Sequence, residues 1–288
     1  MELTLVLGYQ ALYAIALLML TSIGLAIAFG MMRVINFAHG EFIMLGGYAM
    51  TLSVHAGINL WLAMFVIAPA AVGLFGVLVE RLIIRRLYGR ILDTILATWG
   101  LSLLLIGAAS AIFGFHQKGV AVPFGTFMLG GYSQSLYSLF IIGVTALVMA
   151  GLYGLLRHSR FGLLVRGTMQ NPTMASALGV NRNVMYASTF GLGAALSGLA
   201  GAVLAPLAGV APTMGLAYIT KAFITVITGG ANAYTGTTIA ATFYGVIQQV
   251  TTFLATPVIA EAAILIAGIL LLRLMPTGIT GRFFRRSL

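Results

Sequence analysis

Apolar residues follow one another in long runs along most of the chain, and short polar or basic connectors separate the runs. A helix rises 1.5 Å per residue, so about 20 apolar residues cross a bilayer. Transmembrane strands would show short segments of alternating polarity instead. The pattern predicts an all-α, polytopic helical membrane protein of about 8–9 spans, with one or two broken or half helices. The predicted spans are residues 8–32, 40–56, 60–79, 91–113, 136–156, 184–205, 216–230, 234–255 and 258–275.

The composition supports a membrane protein independently of the pattern. The 288 residues are 60% hydrophobic and only 7% charged, and the mean hydropathy is +1.07, whereas soluble domains carry about 25% charged residues. The absence of cysteine excludes disulfides and thiolate chemistry. No basic region precedes the first apolar run, which is also too long for a signal peptide, so it is expected to be the first span.

The positive charge of the chain indicates membrane topology rather than nucleic-acid binding. Twelve of the thirteen arginines fall in three clusters, within residues 81–90, 157–182 and 273–286. Basic residues concentrate in cytoplasmic loops, so all three clusters are expected in the cytoplasm. Two predicted spans separate the first pair of clusters, and four separate the second pair. Both counts are even, as they must be if all three clusters lie on the same side of the membrane. The N-terminus and the Gly114–Ser135 loop are then expected outside, and the C-terminus inside.

No group of side chains suggests an enzyme site, a metal or a cofactor. The sequence has no glycine-rich phosphate loop, its four histidines show no metal-ligand spacing, and it offers no Ser/His/Asp arrangement. Among the few acids, Glu80 adjoins Arg81 at a span end, and a surface ion pair is expected. Asp93 begins a span near Arg90, and Glu261 lies near the outer start of the last span.

The stretch "INFAHGEF" places polar residues between two apolar runs. An ion at the middle of a bilayer costs about 2.5–3.5 kcal/mol on insertion scales, so a group retained there usually serves function. One interpretation is a broken helix that places Asn36 to Glu41 on a translocation path or its inner gate. The alternative is an ordinary interfacial turn, with Asn36 capping the second helix and Glu41 near its positive end.

A second interrupted segment, "VITGGANAYTGTT", lies in the other half of the chain. Paired interruptions in two halves indicate a transport site, because backbone freed from helical bonding survives in a membrane only against protein or water. The predicted path or gate residues from both breaks are Asn36, His39, Gly40, Glu41, Gly229, Gly230 and Asn232.

The segment Arg157–Arg182 is the longest basic connector. Within it, "PTMASALGV" is typical of a short amphipathic helix, with Asn171 as its cap, Pro172 in its first turn and Gly179 at its end. It predicts a docking surface or, alternatively, a helix lying on the lipid interface. The small-residue tract from Gly191 to Gly209 predicts close helix packing, within the chain or at a subunit interface.

The pieces "GLAIAFGMMRVINFAHGEFIMLGGY", "ILATWGLSLLL", "GTMQNPTMASALGV", "GLGAALSGLAGAVLAPLAGVAPTMG" and "KAFITVITGG" occur in this order over nearly the whole chain. At these pieces the sequence resembles the LivH-type permeases of ABC importers for branched-chain and other hydrophobic amino acids. The resemblance implies a single permease domain over residues 1–288 in a bacterial inner membrane, with a coupling loop at about 157–182. It also implies a LivM-like second permease as heterodimer partner, two cytoplasmic ATPase subunits and a periplasmic binding protein.

The resemblance places ATP hydrolysis in the partner subunits. The piece "MASALGV" falls where such permeases contact the ATPase, which implies contacts by Met174, Ala175, Ala177, Leu178 and Gly179. The family often has an acidic residue just before this helix core, as in "NREMA", whereas Asn171-Pro172-Thr173-Met174 stand here; this departure concerns the polar contacts of the loop and not its position.

Three other functions stay open at this point. The piece "YGRILDTILATWGLSLLL" also resembles permeases for urea and short-chain amides. A secondary transporter driven by an ion gradient would need intramembrane acids or histidines, of which the chain offers one cluster. A scaffold subunit without a path of its own is the third.

Overall fold

The computed structural model describes residues 2–32, 34–230 and 232–283. Each predicted span coincides with a helix or a continuous helical segment, although the first helix begins at Glu2 rather than at residue 8, and this confirms the helical membrane fold. The helices are α1 (Glu2–Met32), α2 (His39–His55), α3 (Leu60–Leu62), α4 (Ala68–Leu82), α5 (Ile91–Phe113), α6 (Leu136–His158), α7 (Arg160–Gln170), α8 (Pro172–Ala177), α9 (Arg182–Ala208), α10 (Leu216–Gly229), α11 (Ala233–Leu254), α12 (Pro257–Leu274) and α13 (Gly278–Phe283).

Six of the described helical segments are long and apolar enough to cross a membrane: Leu3–Gly30, Leu60–Leu82, Ile91–Phe113, Leu136–His158, Arg182–Ala208 and Pro257–Gly281. The helix α10 has 14 residues and is therefore about 21 Å long, well short of the roughly 30 Å hydrocarbon layer. This length agrees with the expected half-length helix.

A π-helical segment, Ala63–Ile67, joins α3 to α4 without interrupting the helix. Ala63, Met64 and Ala68 are all fully buried. A π turn holds one residue more than an α turn, which lets Ala63 and Ala68 face the interior together.

The connector between α5 and α6 contains a β-hairpin, which the all-α expectation did not include. Strand β1 (Thr126–Leu129) pairs antiparallel with β2 (Tyr132–Ser135), and Leu129 lies opposite Tyr132. The two linking residues, Gly130 and Gly131, both have positive φ. Glycine in both central positions is what a two-residue hairpin turn favours.

The described chain forms two compact units, each assembled from separated stretches. One contains residues 1–22, 121–151 and 221–288, and the other contains residues 23–120 and 152–220. The expectation of one domain over residues 1–288 stays a prediction.

In the larger unit, α9 packs against α2 and α4. A Cβ atom at Gly198 would lie 2.7 Å from Cβ of Val72 on α4, and one at Gly193 would lie 2.6 Å from the carbonyl oxygen of Gly24. Added side chains have no room there, so the small residues let the backbones approach closely. The tract from Gly191 to Gly209 therefore packs within the chain, as one of its two interpretations predicted.

In the smaller unit, α1, α11 and α12 share a buried core. The core residues are Leu18, Ala240, Ala241, Tyr244 and Ile264. The side-chain amide of Gln249 donates to that of Gln10 at 2.8 Å, which joins α11 to α1. Such interhelical amide bonds satisfy polar groups that lipid cannot.

Candidate functional site

The turn between α1 and α2 is organised by Asn36. Its side-chain oxygen accepts the backbone N–H of Ala38 at 3.0 Å, which forms an Asx turn. The backbone N–H of Phe37 donates to the Thr98 hydroxyl of α5 at 3.1 Å. Asn36 is buried, so its amide satisfies a backbone donor that has no access to water. This role agrees with the alternative of a capped turn, although the bond lies one residue before α2 itself.

His39 is buried against α9. Its Nδ1 lies 3.2 Å from the hydroxyl oxygen of Ser197, and that hydroxyl donates to the carbonyl oxygen of Gly193 at 2.9 Å. A hydroxyl has one hydrogen, so a bond in the His39–Ser197 pair requires the proton on Nδ1. The histidine therefore ties the start of α2 to the middle of α9.

Gly40 has a packing role in the same turn of helix. A Cβ atom on it would lie 2.5 Å from the carbonyl oxygen of Gly215. A side chain at this position would push apart two backbone segments, so Gly40 permits their close approach, and its place on a transport path stays a prediction.

Glu41 differs from its neighbours because one of its two carboxylate oxygens accepts no hydrogen bond from the described residues. The residue is 1% exposed, and its Oε2 has no hydrogen-bond partner in the described part of the chain. The Ser102 hydroxyl of α5 interacts with the carboxyl group. A buried polar atom without a partner is costly, so Glu41 is the residue of this break that most strongly suggests function.

A cavity of about 10 Å³ lies beside the turn. Its polar lining comes from Asn36, His39 and Ser197. That volume holds about one water molecule. The cavity therefore suits a structural water rather than an amino acid.

The second break is a capped turn between α10 and α11. Asn232 accepts the backbone N–H groups of Tyr234 and Thr235 at 3.2 Å each, which caps α11. Gly230 has a φ of +88°, a conformation that favours glycine. The Thr280 hydroxyl of α13 donates to the carbonyl oxygen of Gly229 at 2.6 Å, and it accepts the Asn232 backbone N–H at 3.3 Å.

Thr280 was not found by sequence reasoning, because it lies 48 residues from Asn232 and follows no local pattern. The two breaks belong to different compact units, so each is described by itself. That they share a transport path stays a prediction.

The loop between α6 and α9 has the local structure that its sequence predicts. The Asn171 side chain accepts the Met174 backbone N–H at 2.9 Å, and Pro172 begins α8. At the other end, Gly179 has a φ of +86°. Its backbone N–H donates to Ser176 O and that of Val180 to Ala175 O, both at 3.0 Å. These paired bonds form a Schellman motif, which stops the helix.

Several apolar residues are exposed on this loop, beside the exposed polar residues Thr173 and Ser176. Met174 is 57% exposed and Leu178 is 78% exposed, and Ala177 and Gly179 are also exposed. Leu163 of the preceding α7 is 63% exposed as well. We call Leu163, Met174, Ala177 and Leu178 the docking face.

Among the predicted docking residues, Ala175 is the exception. It is 8% exposed, so its side chain is buried in this structure, and its contact with a partner stays a prediction. The remaining predicted residues are exposed on a short helix that is capped at both ends.

The acidic residues have partners that differ in part from those expected. Glu80 is fully buried and bonds to Arg85 at 2.8 Å, so the expected surface pair with Arg81 is wrong. Arg81 is adjacent in sequence and points to another side of α4. Arg90 and Asp93 form an exposed ion pair, with Nε of Arg90 2.5 Å from Oδ2 of Asp93.

These features define the class of protein. It is a polytopic helical membrane protein in which the short helix α10 precedes a capped break, and a capped loop exposes apolar residues. The chain matches, over residues 9–275, the family described as "Branched-chain amino acid transport system / permease component". It therefore belongs to that family of permease components, which confirms the resemblance to LivH-type permeases.

Three relatives match along almost their whole length. The chain is 31% identical over 281 residues to the high-affinity branched-chain amino acid transport system permease protein LivH of Escherichia coli K12, covering 91% of each chain. It is 32% identical over 282 residues to the corresponding permease protein BraD of Pseudomonas aeruginosa, covering 91% of each. A probable LivH of Methanocaldococcus jannaschii is 30% identical over 280 residues, covering 92% of this chain and 89% of the relative. No solved structure matches the chain significantly.

Proposed function

We propose that the chain forms the translocation path for branched-chain or other hydrophobic amino acids in an ATP-driven ABC importer. The proposed assembly contains a LivM-like second permease, two cytoplasmic ATPase subunits and a periplasmic substrate-binding protein. Membership of the permease family over residues 9–275 supports this function most directly, and the names of the relatives support the substrate class.

The docking face supports the ATPase contact. Water or lipid headgroups would otherwise meet Met174 and Leu178 on a short helix whose two ends are both fixed by hydrogen bonds. An apolar helix face is buried when it lies in a groove of a partner. The arginine clusters support an orientation with this loop and the C-terminus in the cytoplasm and the N-terminus in the periplasm.

The gate proposal now rests on Glu41 more than on Asn36, His39 or Gly40. The latter three have structural partners, whereas Glu41 keeps a buried oxygen without one among the described residues. In the second break, Asn232 is exposed and is the residue that substrate or partner can reach.

The test is reconstitution of the purified assembly in proteoliposomes. We expect the chain to copurify with an ATPase pair and to import leucine only when ATP and the binding protein are supplied. Unlabelled leucine and phenylalanine should compete for uptake, and urea should not. Competition by urea alone would reassign the substrate. Gradient-driven uptake by the chain without an ATPase would refute the ABC assignment.

A further inference from the structure

A buried carboxylate lies at the end of α4, in a part of the chain that the proposed path does not use. Glu80 is fully buried, and both of its oxygens accept bonds. Arg85 Nε lies 3.3 Å from Oε1 and Arg85 Nη2 lies 2.8 Å from Oε2. This is a two-point contact, which fixes the relative orientation of the two groups.

Tyr88 completes the cluster. Its hydroxyl donates to Glu80 Oε1 at 2.5 Å, and the Met32 sulfur at the end of α1 lies 3.4 Å from the same hydroxyl. Burial and the adjacent Glu80 carboxylate raise the pKa of Tyr88. The phenol therefore keeps its proton and remains a donor to Glu80. We call Glu80, Arg85 and Tyr88 the α4 clamp.

The clamp also contacts the start of α9. Arg85 Nη2 donates to the carbonyl oxygen of Asn183 at 3.4 Å. The Tyr88 ring lies edge-on against the Tyr186 ring, with centroids 4.9 Å apart. The clamp thus joins the end of α4 to the first turns of α9 through directional contacts.

The start of α9 lies close in sequence to the docking face. The helix α8 ends at Ala177, and α9 begins at Arg182 after the Asn181 cap. The Schellman turn at Gly179 makes this link stiff. A continuous series of hydrogen bonds and packing contacts therefore links α8, through Asn183 and Tyr186, to Arg85 and Tyr88.

Fold stability alone does not explain this pair, in which the Glu80 side chain is fully buried and the Arg85 side chain is 32% exposed. Replacing a buried ion pair by well-packed apolar residues is often neutral or stabilising, and solvent at the partly exposed Arg85 weakens the attraction further. What the ion pair adds is a fixed geometry, because its bonds are lost when the groups rotate or separate. A rigid link suits an element that must transmit movement.

We propose that Glu80, Arg85 and Tyr88 are positioning residues that transmit movement of the docking face to α4, and so couple ATP hydrolysis to transport. This inference rests on the proposed function, because it needs an ATPase on the docking face. It names a second element for coupling, which lies outside the loop predicted for that role.

The test uses the complete assembly in proteoliposomes and measures two rates, substrate imported and ATP hydrolysed. The variants are Tyr88→Phe, which keeps the ring against Tyr186 and removes the donor, and Glu80→Gln, which keeps the shape and removes the charge. Coupling between two binding sites commonly changes the affinity of one site 5–150-fold. We expect ATP hydrolysis to persist while substrate imported per ATP falls at least about fivefold.

The matched control is Asp93→Asn. It removes the exposed pair with Arg90, which lies next to the same connector, and it should leave substrate imported per ATP unchanged. An unchanged ratio in both Tyr88→Phe and Glu80→Gln would overturn the proposal. So would losses of import and hydrolysis that follow the amount of assembled complex, because these would show a purely structural role. Failure of the unaltered assembly to hydrolyse ATP would instead refute the proposed function itself.

Discussion

The substitution Ala177→Glu should separate ATPase docking from insertion of the permease. Ala177 is exposed at the end of α8, so the glutamate side chain reaches water in the free chain. Local costs are small: glutamate is nearly as good a helix former as alanine, and a negative charge near a helix C-terminus costs about 0.3–1 kcal/mol.

The free-energy cost of the substitution becomes large when the ATPase covers this surface. A glutamate buried without a partner in an apolar cleft costs several kcal/mol, and each 1.4 kcal/mol weakens association about tenfold. We therefore expect at least about a hundredfold loss of ATPase association with little loss of inserted permease. The companion variant Leu178→Ala removes about three carbon groups that docking would bury, at about 0.8 kcal/mol each. Leu178 is 78% exposed in the free chain, so docking can bury about that fraction of these groups. The expected loss is about 2 kcal/mol of association free energy, or a roughly thirtyfold lower affinity for the ATPase.

The assay is copurification of the ATPase subunits with tagged permease, together with permease quantity in membranes. The matched control is Ala121→Glu, the same change at an exposed position of the α5–α6 connector, which should leave association unchanged. Normal association of Ala177→Glu would refute the docking face. A crosslinking survey that joins the ATPase only to Arg81–Arg90 would refute it as well.

Three further predictions test the path, the packing and the topology. For Glu41→Gln we expect transport to fall much more than membrane-inserted protein, since the buried oxygen is retained for function rather than stability; equal losses would favour a structural role. Gly46→Ala should lower the melting temperature in detergent, because its Cβ would overlap the carbonyl oxygen of Gly198, whereas Gly100→Ala meets no atom of the described residues within 4 Å and should be tolerated. Lys118→Cys should react with an impermeant thiol reagent from the periplasm and Arg160→Cys only from the cytoplasm; the reverse labelling would contradict the proposed orientation.

The sequence predicted best what depends on neighbours along the chain. The helix α5 has the predicted bounds of 91–113, because an apolar run between polar connectors determines a span. The cap at Asn171 and the stop at Gly179 were also predictable, since both act on backbone groups within a few residues.

Contacts between distant residues could not be predicted in the same way. His39 and Ser197 are 158 positions apart, and no pattern in one segment indicates the other. Glu80 was assigned to its sequence neighbour Arg81, but a short 3-10 turn, Ile84–Leu87, brings Arg85 back to it. Turns of this kind are set by tertiary packing and have weak local signals.

The π-helical segment Ala63–Ile67 has a consequence for how this chain tolerates insertions and deletions. One additional residue in a helical turn rotates everything that follows by about 100°. Deleting a single residue within Ala63–Ile67 could therefore restore an ordinary α turn while leaving both ends of the helix in their present orientation. A deletion in the first turn of α4, before Val72, would instead rotate Val72 and Val79, now buried, out of their present packing. Relatives that differ in length by one residue in this span are thus expected to differ at the π turn, and nowhere else along the helix.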